Sequence, residues 1–206
     1  MSSPSRRRFL VGLAASPVAL ALSCSATATP RPPSDDEVRR RPLPIPQLAD
    51  STVDDEGTRT FRLRAAPGAT SIVAGTTTAT WGYNGSVLGP TLRARDGEAV
   101  AVEFENALPV ASTVHWHGMH LPARCDGGPH QTVAPGGRWR PAWTIRQPAA
   151  TLWYHPHPHG ETEKHLYRGL AGLFIVDDDA SPDALPHDYG VDDIPLIIQD
   201  RKFTSD

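Results

Sequence analysis

The chain has 206 residues, of which 39% are hydrophobic, and a formal net charge of −3 at pH 7. That length and composition allow a folded domain with a real hydrophobic core. Outside residues 1–28 the sequence holds no basic patch, and it has no apolar segment long enough to span a bilayer, which argues against nucleic acid as a partner and against a membrane-spanning protein.

Residues 1–28 have the pattern of an export signal. A basic stretch, Arg6-Arg7-Arg8, opens an apolar run, and Ala26-Thr27-Ala28 offers a cleavage site. Arginines followed by x-Phe-Leu resemble the twin-arginine signal, which exports folded proteins, although an ordinary secretory signal fits the same stretch. Cys24 is a weaker candidate for lipid attachment. We therefore expect a periplasmic or extracellular protein, whose formal charge is −6 once these residues are removed.

Residues 29–49 are rich in proline and charge, which indicates an extended tether. From residue 50 onward the chain has the pattern of short strands separated by Gly, Pro and Asn turns. With no alternation of strands and helices, this pattern predicts an all-β sandwich or barrel over 50–179. A brief helix is predicted at 161–167. The predicted strands are 60–65, 71–80, 91–95, 99–105, 114–121, 138–145, 151–157 and 170–176.

The last part of the sequence predicts a linker and the first strand of a second domain. Residues 180–206 contain an apolar stretch at 194–203 that has the pattern of the first strand of a truncated second domain. The acidic run 177–179 is expected to be a strand end rather than a cation site. After cleavage Cys125 would be the remaining cysteine, so no disulfide could form within the chain and a packed core must stabilise it.

Five of the nine histidines lie in two short clusters, His115-Trp116-His117-Gly118 and His155-Pro156-His157-Pro158-His159-Gly160. Strand side chains alternate between faces, so His115 and His117 share a face that Trp116 does not. Two such strands side by side would bring four imidazoles together. Imidazole ligation suits Zn, Cu, Fe or Ni, and the spacing alone leaves open whether one or two ions are bound.

Several motifs in order carry a resemblance to a known family. The chain is similar, over roughly residues 55–203, to the first domain of the multicopper oxidases, and most of all to their bacterial laccase and copper-efflux-oxidase branch. The motifs are His115-Trp116-His117-Gly118-Met119-His120-Leu121-Pro122, Asp126-Gly127-Gly128-Pro129, Pro135-Gly136, Gln147-Pro148-Ala149, Trp153-Tyr154-His155-Pro156-His157-Pro158-His159-Gly160, Gly169-Leu170-Ala171-Gly172-Leu173 and Gln199-Asp200-Arg201-Lys202-Phe203.

The resemblance implies a Greek-key β-sandwich of the cupredoxin (plastocyanin-like) type that supplies half of a trinuclear copper site. His159 matches a position that is usually not a ligand, so we expect it to support a ligand or the fold. Asp126 matches an acid that delivers protons to oxygen, and a role as a turn-former is compatible with this. The implied ligands are His115 for the type 2 copper, His117 and His155 for one type 3 copper, and His157 for the other.

The implied function is an exported oxidase that couples oxidation of phenols, aromatic amines or cuprous ion to the four-electron reduction of O2 to water. In the family, the type 1 copper and four further ligands belong to His-x-x-His-x-His and His-Cys-His segments, which these 206 residues lack. We therefore expect the chain to be inactive alone and to need a C-terminal cupredoxin domain, in cis or in trans.

Two other functions fit parts of the sequence. One is a non-catalytic cupredoxin-fold envelope scaffold or copper-binding protein. The other is a zinc-dependent hydrolase, which the absence of a nearby carboxylate base disfavours. A blue-copper site at Cys125 and His130 is disfavoured because no methionine follows that cysteine. Cys125 is instead expected to be a small buried residue, Trp139, Trp143 and Trp153 to be core rather than electron relay, and His120, His130, His165 and His187 to lie on loops or surfaces.

Overall fold

The computed structural model describes residues 42–182 and 185–203. The predicted export signal, Cys24 and the tether up to residue 41 lie outside this range. Within it, no helix is both long and apolar enough to cross a membrane. The described elements are β1 (Ser51–Val53), β2 (Arg59–Thr70), β3 (Thr78–Tyr83), β4 (Leu92–Arg95), β5 (Ala99–Asn106), β6 (His115–His117), a 3-10 turn (Ala123–Cys125), β7 (Arg138–Trp139), β8 (Ala142–Thr144), β9 (Ala150–His155), α1 (Thr162–Arg168) and β10 (Gly172–Asp177).

The strands form two sheets that pack face to face. In the first sheet β2 and β5 are parallel neighbours, β1 and β3 pair with the free edge of β2, and β7 and β8 pair with the free edge of β5. The second sheet has the order β4-β10-β9-β6. The parallel pairs β2–β5 and β4–β10 arise because the chain crosses repeatedly between the sheets. The predicted all-β Greek-key sandwich is confirmed.

The core lies between the two sheets and follows strand alternation. On β2, Phe61 and Leu63 are buried while Arg62 between them is exposed. The ring of Phe61 packs edge to face against the ring of Phe174, which belongs to the other sheet, and the two ring centroids are 6.1 Å apart. Burying each such side chain contributes about 1.5–3 kcal/mol. Cys125 joins this core, as predicted, with its Sγ 3.3 Å from the Ala142 carbonyl oxygen.

Strands β6 and β9 carry the two histidine clusters and pair antiparallel. The register sets His115 opposite His155, Trp116 opposite Tyr154 and His117 opposite Trp153. Trp116 and Tyr154 are almost fully buried between the sheets. Their neighbours in sequence therefore point to the opposite, outer face of the second sheet, where β6 is the edge strand.

Helix α1 confirms the predicted helix but corrects the placement of His165. We expected this histidine on a loop or surface, yet its side chain is 1% exposed. It lies on the inner face of α1, edge-on to Trp81 at 4.9 Å, with Nδ1 3.1 Å from Ser112 Oγ. The prediction was wrong because one short helix does not reveal which of its faces meets the sheet. The predictions for His120, His130 and His187 are confirmed, since all three are exposed.

The ends of the described chain differ from the expected elements. Residues 47–49 belong to the predicted tether, yet Ala49 N donates to the Thr91 carbonyl oxygen and Thr91 N donates to that of Gln47. Residues 194–203 carry no strand, although the sequence pattern predicted one there. Residues 71–77 form a loop, and β3 begins at Thr78. The interpretation of 180–206 as the start of a second domain stays a prediction.

The acidic run at the end of β10 binds positive groups and main-chain donors. Asp177 accepts hydrogen bonds from Arg93 at 2.8 and 2.9 Å. Asp179 pairs with Arg95, and Asp178 accepts the main-chain N–H of Ala149 at 2.8 Å. These carboxylates fasten the end of β10 to its neighbours, as fits a strand end.

Gly172 gives a test of how tightly the sheet is packed. A Cβ there would lie 2.2 Å from Tyr154 Cζ, so we expect Gly172→Ala to lower the free energy of unfolding by about 1–3 kcal/mol. A Cβ at Gly85 would have its nearest neighbouring atom 3.9 Å away, so Gly85→Ala should change the free energy of unfolding by less than about 0.5 kcal/mol. Chemical denaturation measures both, and equal midpoints for the two variants would contradict this packing.

Candidate metal centre

Three histidines from β6 and β9 converge on the outer face of the second sheet. His115, His117 and His155 each offer one ring nitrogen, and these nitrogens all lie within 4.8 Å of one another. The ring centroids of His115 and His117 are 5.7 Å apart, and each is 5.4 Å from that of His155. The convergence predicted from strand alternation is therefore present for these three side chains.

Main-chain carbonyls fix which nitrogen of each ring is free. His115 Nδ1 lies 2.9 Å from the Asp126 carbonyl oxygen, and His155 Nδ1 lies 2.8 Å from that of Pro156. A carbonyl only accepts, so both Nδ1 atoms carry the proton and both Nε2 atoms keep a lone pair for a metal. This is the arrangement commonly found around metal-bound imidazoles.

His117 and His155 form the tightest pair of donors. His117 Nδ1 is 3.2 Å from His155 Nε2. Two imidazole nitrogens bound to one ion at about 2.0–2.1 Å, near a tetrahedral angle, lie about 3.3 Å apart. The pair therefore fits a single ion without rearrangement. Together with the carbonyl contacts, it shows that the residues present suit a metal that imidazole binds well.

His157 lies beside these three, outside their tight group. Its ring centroid is 5.4 Å from that of His115 and 5.9 Å from that of His155. Its Nδ1 is buried and has no hydrogen-bond partner among the described residues. A buried polar nitrogen without a partner costs free energy, and a bound ligand would recover it. His157 thus remains a candidate ligand, whereas His159 is exposed.

Asp126 stands next to His115 at the margin of the site. Its Oδ1 is 3.4 Å from His115 Nδ1, and its side chain is 36% exposed. The carboxylate therefore reaches both the histidines and solvent, as a proton carrier must. The predicted alternative, a turn-former, is supported, since Asp126 directly follows the 3-10 turn. The proton-relay role stays a prediction.

Three polar residues that sequence reasoning did not select support the site. Gln131 Oε1 accepts the main-chain N–H of Gly127 at 2.6 Å and holds the Asp126 loop. Gln147 Oε1 accepts the N–H of His120 at 2.7 Å and fixes the turn after β6. Thr113 Oγ1 accepts the N–H of His157 at 2.6 Å. No periodicity marks them, because each acts through a loop contact, and those of Gln147 and Thr113 join segments distant in sequence.

Of the three tryptophans predicted to be core, two belong to the core and one lies at the candidate site. Trp143 is buried and Trp139 packs against the core, as expected. Trp153 is different: its ring stacks on that of His155 at 3.9 Å and 22° and lies 5.1 Å from that of His117. The expectation that Trp153 is core was wrong, because the register turns Tyr154 inward and its neighbour outward. Trp153 forms an aromatic wall beside two candidate ligands.

Burial above all, opposed by the hydrogen bond to Pro156 and reinforced by the neighbouring imidazoles, lowers the pKa of His155 to about 4. This ring is therefore neutral at neutral pH. A neutral imidazole is the form that binds metal, so protons do not compete with a metal for His155 there.

The chain is similar to known proteins over most of its length. A family model described as multicopper oxidase matches residues 65–181. "Multicopper oxidase mco" of Staphylococcus aureus is 40% identical over 163 residues, covering 79% of this chain and 36% of that protein. "Cell division protein FtsP" of Sodalis glossinidius is 41% identical over 204 residues, covering 97% of this chain and 40% of that protein.

Solved structures of the same kind share the fold. The laccase from Pediococcus acidilactici matches with a TM-score of 0.75 and 37% identity, over 80% of this chain and 36% of that one. The laccase-like multi-copper oxidase CueO from Ochrobactrum sp. matches with a TM-score of 0.69 and 44% identity, over 75% and 34%. The chain therefore spans between a third and two fifths of the length of these relatives, and the cupredoxin type of the sandwich is confirmed.

The lowered pKa of His155 predicts how the metal-free chain responds to acid. Its ring signals in an NMR titration should have a midpoint near pH 4. Unfolded chains take up this proton at about 6.5, so the free energy of unfolding should fall as the pH drops from there towards 4. His155→Asn should lose that part of the pH dependence. A His155 midpoint near 6.5 would contradict the geometry.

Proposed function

The chain belongs to the multicopper oxidase family, and we propose that it supplies half of a trinuclear copper site in an exported oxidase. That oxidase couples the oxidation of a small reductant to the reduction of O2 to water. The observation that carries the proposal is the convergence of His115, His117 and His155, each of which has a ring nitrogen within 4.8 Å of one on the other two. Imidazole-rich sites of this kind suit copper.

The proposed ligand roles follow the positions of the rings. His117 and His155 would share one type 3 copper, which their 3.2 Å nitrogen separation supports. His115 would bind the type 2 copper through Nε2, since its Nδ1 faces the Asp126 carbonyl oxygen. His157 would bind the other type 3 copper, which would satisfy its buried ring nitrogen. His159 would support the loop rather than bind metal.

The bound copper ions would supply the one-electron redox chemistry that the four-electron reduction of oxygen requires. This chain's own contribution is to hold the imidazoles and to manage protons. Asp126 is placed for the second task, because its carboxylate lies 3.4 Å from His115 and is open to solvent. We propose that it passes protons from water towards the oxygen being reduced.

The remaining ligands and the type 1 copper would come from another cupredoxin domain, in cis or in trans. His117 is exposed and Trp153 is half-buried on the outer face of the second sheet. Beside Trp153 lies a groove of about 820 Å³, whose walls include Leu173, Tyr167 and Ile197. An open metal face next to an apolar groove fits a surface that a further domain covers.

Phenols, aromatic amines and cuprous ion are the proposed reductants. The support comes from the relatives, since one solved neighbour is a laccase and another has oxidase activity towards lignin model compounds. The proposed route to the cell envelope is twin-arginine export through residues 1–28, which lie outside the described residues. This route would carry the folded domain across the membrane.

A second candidate is a non-catalytic role in the cell envelope. The relatives called cell division protein FtsP favour it, because one of them aligns with 97% of this chain at 41% identity. The two candidates differ in their need for metal: an oxidase must bind copper at the histidines, whereas a scaffold need not.

Copper titration of the 206-residue chain separates the candidates. Loss of a residue that only hydrogen-bonds to a metal ligand typically costs about 10–100-fold in affinity, so His115→Ala and His157→Ala should each weaken Cu²⁺ binding at least tenfold. His187→Ala, which alters an exposed histidine outside the site, is the matched control. Unchanged copper affinity in both variants would contradict the assignment of His115 and His157 as copper ligands. A wild-type chain that binds no copper would favour the scaffold.

The role of Asp126 is tested in the assembled oxidase. Asp126→Asn removes the titratable carboxylate and keeps its shape, so we expect kcat for O2 reduction to fall by about 10²–10⁴-fold while the copper content is unchanged. Asp55→Asn changes an exposed carboxylate in a turn remote from the histidines and should have no effect. Full turnover by the Asp126 variant would rule out the proton role.

A further inference from the structure

The segment Pro156–His157–Pro158 has few main-chain hydrogen-bond donors. Proline lacks a backbone N–H, so His157 carries the one main-chain donor of these three residues. β9 ends at His155, and this donor therefore has no strand partner. It is bound by a side chain instead, since His157 N lies 2.6 Å from Thr113 Oγ1.

Thr113 belongs to the approach to the other histidine cluster. It is fully buried and lies two residues before His115. Its predecessor Ser112 exchanges two main-chain hydrogen bonds with Val133, at 3.1 and 2.7 Å. The Ser112 hydroxyl also lies 3.1 Å from His165 Nδ1, inside the fold. The main chain of Thr113 thus lies between the anchored Ser112 and strand β6, which begins at His115.

The far end of the segment is anchored as well. The Pro158 carbonyl oxygen accepts the hydroxyl of Thr162 at 2.9 Å and the N–H of Glu161 at 3.2 Å. The main chain of His157 is therefore fastened on one side by Thr113 and on the other by the start of α1. Its ring is the free part, with a buried Nδ1 that has no partner among the described residues.

We propose that Thr113 is a positioning residue for copper binding: its hydroxyl links the two histidine clusters and fixes the main chain of His157 so that its imidazole stands ready beside that of His115. This inference rests on the proposed function and names a residue that acts through a ligand. Thr113 makes the distance between His157 and the first histidine cluster a property of the folded chain rather than of the bound metal. Such support of a ligand typically governs affinity.

The first test compares hydroxyl loss with hydroxyl retention, using Cu²⁺ alone as the probe and a competing chelator. Thr113→Val keeps the shape and removes the acceptor, so affinity should fall by about 10–100-fold, whereas Thr113→Ser should restore most of it. Thr80→Val is the matched control. It removes another buried hydroxyl, bound to the Ser86 carbonyl oxygen in the first sheet, and should leave copper affinity unchanged.

A double-mutant cycle shows whether Thr113 acts through His157. In a His157→Ala background, Thr113→Val should cause no further loss of copper affinity. In the metal-free wild type the His157 amide should be protected from hydrogen exchange, and in Thr113→Val that protection should be lost. The nitrogen hyperfine pattern of the bound Cu²⁺ should also change in Thr113→Val.

The outcomes separate this inference from the function on which it rests. A wild-type chain that binds no copper overturns the proposed function and this inference together. Wild-type binding with equal affinity in Thr113→Val overturns this inference alone. An equal loss in both backgrounds overturns the link to His157, because Thr113 would then affect the site by some other contact.

Discussion

The burial of Trp116 opposite Tyr154 is the constraint from which the metal site follows. Both rings fill the core between the sheets, and their pairing fixes the register of β6 on β9. A slip of β6 by one residue would bury His115 and His117 and expose Trp116, at a cost of about 3 kcal/mol in lost burial. The imidazoles therefore converge because the core allows one register. The positions of the candidate metal ligands are set by hydrophobic packing on the opposite face of the same two strands.

Fixed loops then refine what the register places. The carbonyls of Asp126 and Pro156 set the proton positions on His115 and His155 before any metal is bound. The loop that presents Asp126 fits because Gly127 lacks a side chain: its φ is +72°, and a Cβ there would lie 1.7 Å from the Val114 carbonyl oxygen. Such prior ordering lowers the conformational cost of binding, since the donors need not be gathered by the ion.

Strand alternation and turn chemistry allowed most of the sandwich and the face shared by His115 and His117 to be predicted from the sequence. What failed depended on partners distant in the chain. Trp153 could be assigned inward or outward until the register of β9 was known, and His165 could lie on either face of a seven-residue helix. The contact between Thr113 and His157 joins two loops 44 residues apart. Local patterns carry no signal for such contacts, because the intervening fold decides them.

Tyr154 also limits how this site can change over evolutionary time. Its ring lies against Gly172, and a Cβ at Gly89 would lie 2.2 Å from its hydroxyl oxygen. The same hydroxyl donates to the Pro90 carbonyl oxygen. A side chain at either glycine would require Tyr154 to move or change, and loss of this tyrosine would leave a hole beside both. The three positions are thus coupled by packing. Since Tyr154 immediately precedes His155, drift at two distant glycines is constrained by a neighbour of the candidate copper ligand.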